Sequence, residues 1–448
     1  AQAQEAQRLL EEIPAFAPQL KTRLLPDWEI LPYDHFSPHQ DLVSERLATL
    51  YELLNGSCDI VLVPVTTALQ RLGPPNFLSG HTFFFRQGDK LNEAALKLQL
   101  QQAGYDPVSA VMRPGEYSIR GGLIDLFPMG SNLPYRLDLF GDEIEQIRSF
   151  DPDTQRSLYP VKEVRLLPGH EFPFNDEARI AFRGRWREVF EGDPTRCSIY
   201  KDANLGIPSA GIESYLPMFF EEQSSVFDYF PRSGDPVWII STGDIDNAIR
   251  GFWKDTLSRY EFLKHDLDRP ILPPKELFLD VDEFFATVKP HARLALEKDT
   301  SEARQFIPVP DIAVHRKDAD PVSGLRKLAA TENVRVLICS DSAGRKESIR
   351  QLLEESNSVA GKDGRPLYQL KPEGFDSVAD FIKSESFFGL TTAPLFNGFS
   401  WPAQNLIIIT EAELFTSTAR QRRKGKVSES ADPDMLFKDL SELKIGDP

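Results

Sequence analysis

The sequence predicts an α/β protein: an open parallel-sheet domain interrupted by a hairpin-rich α+β insertion, followed by a separate small α/β domain. Three observations carry that prediction. The continuous β-branched run at 59–65 reads as a strand buried on both faces and 334–339 as a buried strand, each leading into helical spacing, and 405–410 reads as another strand. Residues 107–167 instead read as successive short strands joined by turns. The length, 448 residues, calls for about three domains at roughly 150 residues each.

Taken in order, Ala3, Ala6, Leu9, Leu10 and Ile13 recur at helical spacing, and Pro14 and Pro18 are expected to end that helix. Residues 28–34 read as a short extended run, and 41–54 as a helix through Leu42, Leu47, Leu50 and Leu54. After the strand at 59–65, Thr66 or Thr67 is expected to cap a helix containing Leu69 and Leu72. The pattern changes near His81. One helix at about 92–103 precedes strands at 117–120, 123–127, 135–140 and 143–150, with a Gly141-Asp142 turn between the last two. Longer elements resume near Pro168. Prolines at 231, 236, 270, 273 and 274 mark loops, and Ile307-Pro308-Val309-Pro310 reads as a linker. The strand at 334–339, a helix at 342–353 and the strand at 405–410 make the last compact unit, and no repeat of fixed period is present.

Composition narrows the function classes. Hydrophobic residues make up 41% and phenylalanine alone numbers 31, which supports packed cores and excludes a largely disordered chain. With 51 Lys and Arg against 68 Asp and Glu, the net charge is −17, so tight sequence-independent DNA binding is not expected. Cys58, Cys197 and Cys339 are far apart and form no C-x-x-C pair, which argues against a disulfide framework or thiolate zinc site and for a reducing, cytoplasmic setting. Apolar runs such as 60–65 and 406–409 are far short of the roughly 20 residues that span a bilayer, and no signal pattern opens the chain. No membrane association is expected. The first residue is Ala1 rather than Met, from which upstream residues are expected to be missing.

No catalytic constellation declares itself. A phosphate loop needs Gly, four residues and Gly-Lys-Ser/Thr, because that turn aims consecutive N–H groups and a lysine at phosphates. Gly361-Lys362 and Gly425-Lys426 lack both the earlier glycine and the hydroxyl residue. The pairs Asp142-Glu143, Asp176-Glu177 and Asp282-Glu283 resemble a helicase magnesium pair only superficially. His35 and His39 stand four apart, but Pro38 interrupts the helix that would align them for zinc. The other histidines, at 81, 170, 265, 291 and 315, form no evident triad or ligand set. Catalytic, cofactor and metal residues are therefore expected to be none.

The informative piece is the strand at 135–140. Side chains alternate across a sheet, so Tyr135, Leu137 and Leu139 share one face and Arg136, Asp138 and Phe140 the other. The same alternation turns Tyr117 and Ile119 inward and Arg120 outward, and an adjacent strand would place Arg120 beside Phe140. Arginine and exposed aromatics are enriched in protein-binding hot spots, because a planar donor fork and a rigid apolar ring gain much on desolvation. The plainer alternative folds Phe140 into the core at the turn and pairs both arginines with Asp138, Asp142 or Glu143; periodicity leaves both open. The cluster Arg420, Arg422, Arg423, Lys424 and Lys426 either touches DNA or an acidic surface, or is a solvated linker.

At these residues the chain resembles a known family. Trp28-Glu29-Ile30-Leu31-Pro32-Tyr33-Asp34 with Ser37-Pro38-His39, the segments 115–128 and 134–140, and Leu167-Pro168-Gly169-His170-Glu171-Phe172-Pro173 resemble the amino-terminal UvrB-homology module of the bacterial transcription-repair coupling factors, Mfd. The likeness covers nearly the whole chain and weakens between about 305 and 440; the shorter Arg-Gly-Gly and Asp-x-Phe-Pro pattern is also shared with UvrB. It implies a RecA-like domain assembled from 1–81 and 168–306, a UvrA-binding domain inserted at 82–167, a third α/β domain at 307–441, and at 442–448 the start of a linker toward an absent polymerase-binding domain. It also implies that Arg120, Arg136 and Phe140 dock on UvrA.

The resemblance implies further that this chain holds no cofactor, while motor domains elsewhere in the parent protein use ATP and magnesium and reach RNA polymerase and DNA. A carboxy-terminal region of the parent is implied to mask the UvrA surface, and the chain is expected to be a monomer. The expected function is a non-catalytic, UvrB-mimicking recruitment module in transcription-coupled nucleotide excision repair. The alternatives are a UvrB-like ATP-dependent DNA helicase or damage loader, and a clamp restraining the parent motor.

Overall fold

The computed structural model describes residues 2–231, 237–296, 305–315, 318–358 and 367–415. They fall into two compact units, one comprising Ala1–Leu10 with Gln19–Asp299 and the other Glu11–Pro18 with Thr300–Pro448. The fold is α/β, with parallel ladders, a hairpin-rich sheet and a smaller α/β unit. None of the described helices is long and apolar enough to cross a membrane.

The first helix, Ala3–Phe16, runs through Pro14 rather than stopping there. A proline two residues from a helix end removes only one late hydrogen bond, and Ala17 N still donates to Ile13 O at 2.9 Å. Strand β1, Thr22–Leu24, pairs in parallel with β2, Ile60–Leu62. The strand expected at 59–65 is thus cut short, and β2 is half-buried. Pro64 lacks an N–H for the ladder and itself precedes the helix Val65–Leu69, so neither Thr66 nor Thr67 is the cap. Their hydroxyls donate instead to Asp27 Oδ2, at 2.6 and 3.4 Å.

Residues 28–34 are not extended either. Glu29 and Tyr33 take positive φ angles of 57° and 66° and fold the segment into a turn. The helix Gln40–Leu54 buries Val43, Leu47, Leu50 and Leu53 along one stripe. Its N-cap is His39, whose side chain accepts from Asp41 N, so this member of the His35/His39 pair is used as a cap.

The insertion begins with β3, Phe83–Arg86, and the helix Glu93–Gln102, capped by Asn92. Strands β4 (Asp106–Pro107), β5 (Glu116–Arg120), β6 (Leu123–Leu126), β7 (Tyr135–Phe140), β8 (Glu143–Phe150) and β9 (Ser157–Val161) form a six-stranded sheet in chain order. Only β4 and β5 pair in parallel. Strand β10, Glu163–Leu166, returns antiparallel to β3. Gly121 and Gly141, at φ 59° and 66°, open the two-residue turns β5–β6 and β7–β8, a position where a side chain would be strained. Tyr117, Ile124, Leu126, Leu137, Ile144 and Ile147 bury one face in the same apolar cluster as Leu96 and Leu100. That cluster continues without a break into Leu47 and Leu50 and into Phe182, Trp186 and Phe219. Strands β11 (Trp238–Thr242) and β12 (Ala292–Leu296) add a second parallel pair.

In the second unit, β13 (Arg335–Ser340), β14 (Glu373–Gly374), β15 (Phe388–Thr392), β16 (Phe399–Trp401) and β17 (Leu406–Thr410) stand in the order β14-β15-β13-β17-β16, parallel except for β16. The central strand β13 is buried along its length after Arg335, as its apolar run requires. The helix Ala343–Ser356 follows, capped by Ser342. The segment read as a linker starts inside this unit, because Ile307 exchanges two backbone hydrogen bonds with Ser400, at 2.9 and 2.8 Å. Gly361-Lys362, Gly425-Lys426 and the basic cluster at 420–426 lie outside the described residues.

Candidate partner-binding site

Cross-strand register assembles the site. Across β5 to β8 one row reads Ser118, Asp125, Arg136, Arg148, and the next reads Arg120, Leu123, Asp138, Gln146. Residues paired across a ladder share a face, so Asp125 stands directly opposite Arg136 and within reach of Arg120. The Asp125 carboxylate is 2% exposed. Its Oδ1 accepts from Arg136 Nε at 2.7 Å, and its Oδ2 accepts from Arg136 Nη2 and from Arg120 Nη2, both at 2.9 Å. Arg136 Nη1 donates to Gln155 O at 3.4 Å, and its guanidinium carbon lies 4.8 Å from the centre of the Phe150 ring. Asp138 is taken by Arg148. Two guanidinium groups on one buried carboxylate leave one positive charge in excess at the surface.

Phe140 ends β7, opposite Glu143 across the Gly141-Asp142 turn, and is 79% exposed. It does not fold into the core. Leu123 is 40% exposed on the arginine face, giving an apolar companion that the sequence reading passed over. The side chain of Arg120 is 56% exposed and that of Arg136 only 17%. The arginines therefore pair with neither Asp138, Asp142 nor Glu143; Asp125 holds both. Nor does Arg120 reach Phe140 from a neighbouring strand, because β6 lies between β5 and β7. Asp125 carried one signal in the sequence, a charged residue in the middle of the apolar string Leu123-Ile124-Asp125-Leu126-Phe127.

The acidic pairs prove to be structural. Asp142-Glu143 spans the β7–β8 turn and the start of β8, while Asp176-Glu177 and Asp282-Glu283 occupy first turns of helices, where the helix dipole favours negative charge. None ends a buried strand. Among the described residues no group of three or more His, Cys, Asp or Glu is placed to hold a metal ion.

Two cavities of about 340 and 170 Å³ share Trp28 and Glu213 as lining residues. Burial pushes the Glu213 carboxyl up to about 7, while Ser37 Oγ donates to its Oε2 at 2.7 Å. Burial also holds His170, stacked on Phe172 at 5.3 Å, down to about 4. In the folded chain Glu213 keeps its proton up to about 7, whereas the unfolded carboxyl ionises near 4.5, so its contribution to stability falls as pH rises from 4.5 to 7. His170 acts in the opposite sense: the unfolded imidazole gains a proton below 6.5, and stability is lost as pH falls from 6.5 toward 4. Denaturant titrations across this range are expected to show Glu213→Gln gaining on wild type as pH rises, with the gap levelling off above about pH 7.

The chain matches the UvrB interaction domain family over residues 83–172, the segment that holds Arg120, Asp125, Arg136 and Phe140, and the family described as MFD, D3 domain over residues 365–414. It is 39% identical over 452 residues to the transcription-repair-coupling factor of Escherichia coli, covering 99% of this chain and 38% of that protein. It is also 39% identical over 440 residues to the factor of Haemophilus influenzae, covering 95% and 36%. The factor of Bacillus subtilis aligns over 477 residues at 23% identity, covering 99% and 38%. The chain spans little more than a third of the length of the curated relatives it matches.

Proposed function

Since the chain belongs to the transcription-repair-coupling factor family, as an amino-terminal region of it, we propose that it is a UvrB-mimicking module that recruits UvrA through the Arg120, Arg136 and Phe140 face. The observation that carries this reading is Phe140, a large ring left 79% exposed on the sheet face that also bears Arg120 and Arg136, inside the segment similar to UvrB interaction domains. Such a ring does nothing for the folded chain in water and gains on desolvation when a partner covers it. Arg120→Ala and Phe140→Ala are each expected to weaken UvrA binding by about 1–3 kcal/mol, read by calorimetric titration, without lowering the melting temperature. Affinities unchanged in both variants would reject the assignment.

In this reading the chain is cytoplasmic, monomeric and non-catalytic and holds no cofactor. ATP and magnesium belong to motor domains of the parent protein, which translocates on DNA, and the parent also provides the contacts to RNA polymerase and to DNA. A carboxy-terminal region of the parent covers the same face until recruitment. The chain alone is expected to hydrolyse no ATP; turnover in a coupled assay would favour a UvrB-like helicase or damage loader instead.

A further inference from the structure

Resting on the UvrA reading, we infer that the two arginines do different work: Arg120 meets a carboxylate of the partner, while Arg136 and Asp125 are positioning residues that hold Arg120 in place. All three nitrogens of the Arg136 guanidinium already donate within the chain, to Asp125 and to Gln155 O, and its flat face lies on Phe150. With 17% of its side chain exposed, it has little left to offer a partner. Arg120 is the converse. It spends only Nη2, on Asp125, and among the described residues its Nε and Nη1 have no hydrogen-bond partner, at a position 56% exposed. Asp125 makes three charge-assisted bonds from a buried site, which fixes the Arg120 side chain at one end and spares a partner much of the entropy of ordering it.

The chemistry of the complementary surface follows. The excess positive charge sits on Arg120, and the exposed apolar groups that share its face of the β5–β7 strands include Leu123, paired with it in register, and Phe140. The partner must therefore offer an acidic side chain bordering an apolar cleft. A chain of net charge −17 repels such a surface in general, so attraction depends on local positive charge such as that of Arg120.

The test is titration of UvrA with the whole chain and its folded variants at about 0.05 M and about 0.5 M salt. An ion pair at an exposed position is screened, so Arg120→Ala is expected to weaken binding about tenfold at low salt and only a few-fold at high salt. Arg136→Ala is expected to weaken binding in the wild-type background and to add little in the Arg120→Ala background. Asp125→Asn, which keeps the shape of the side chain, is expected to lose several-fold in affinity in the wild-type background and nothing further in the Arg120→Ala background. A merely structural role for Asp125 would give the same loss in both backgrounds, and that result overturns the inference. So does a salt-independent effect of Arg120→Ala, or a salt-dependent effect confined to Arg136→Ala. Failure of the wild-type chain to bind UvrA at either salt rejects the UvrA reading itself, and this inference with it.

Discussion

Glu171→Ala is expected to destabilise the first unit by about 3–5 kcal/mol, because it leaves a fully buried guanidinium without its counter-charge. Arg46 is 0% exposed. Its Nε donates to Glu171 Oε1 at 2.6 Å, its Nη2 to Oε2 at 3.1 Å and its Nη1 to Pro26 O at 2.7 Å. Trp28 Nε1 donates to the same Oε1 at 3.1 Å, and the Arg46 guanidinium lies 5.2 Å from the centre of the Trp28 ring. The network joins the turn after β1, the helix Gln40–Leu54 and the chain leaving the insertion. Its desolvation is repaid only while every member is present, so removing one is far more damaging than replacing the pair by apolar groups of similar volume. Denaturant unfolding of Glu171→Ala beside an Arg46→Met/Glu171→Leu double variant checks this; the double variant is expected to recover most of the loss.

Trp186→Ala is the second large effect, also about 3–5 kcal/mol. Trp186 is 1% exposed and packs against Phe182, Phe190, Tyr200 and Tyr215, with ring centres 5.5, 4.7, 5.6 and 5.2 Å away. Truncation leaves a cavity walled by rigid rings that cannot collapse into it, whereas Trp186→Phe retains much of the contact and is expected to cost far less. Thermal melts of the two variants separate the cases. Because the cluster around Trp186 is continuous with the core beneath the β5–β8 sheet, UvrA binding is expected to vanish together with the fold, not before it.

The hairpins were legible because their signals are local. Alternation in Tyr135–Phe140 and Glu143–Phe150, with Gly141-Asp142 between them, defines both strands and the turn within the strings themselves. Residues 28–34 were not legible, because what bends them is distant: Tyr33 Oη donates to Leu272 O at 2.9 Å, 239 residues further along the chain. Pro64 was in plain view, yet the β-branched residues around it outweighed it in a reading by composition. The face bearing Arg136 and Phe140 followed from alternation. The carboxylate that organises it did not, because pairing Asp125 with Arg136 requires knowing which strands are neighbours, and order in a sheet is not written in any one segment.

The most direct test of the central claim is a calorimetric titration of UvrA with the wild-type chain and with an Arg120→Ala/Phe140→Ala double variant of matched thermal stability. The account expects saturable binding by the wild type and no measurable heat from the double variant at the same concentrations. Superposable isotherms from the two proteins would contradict it.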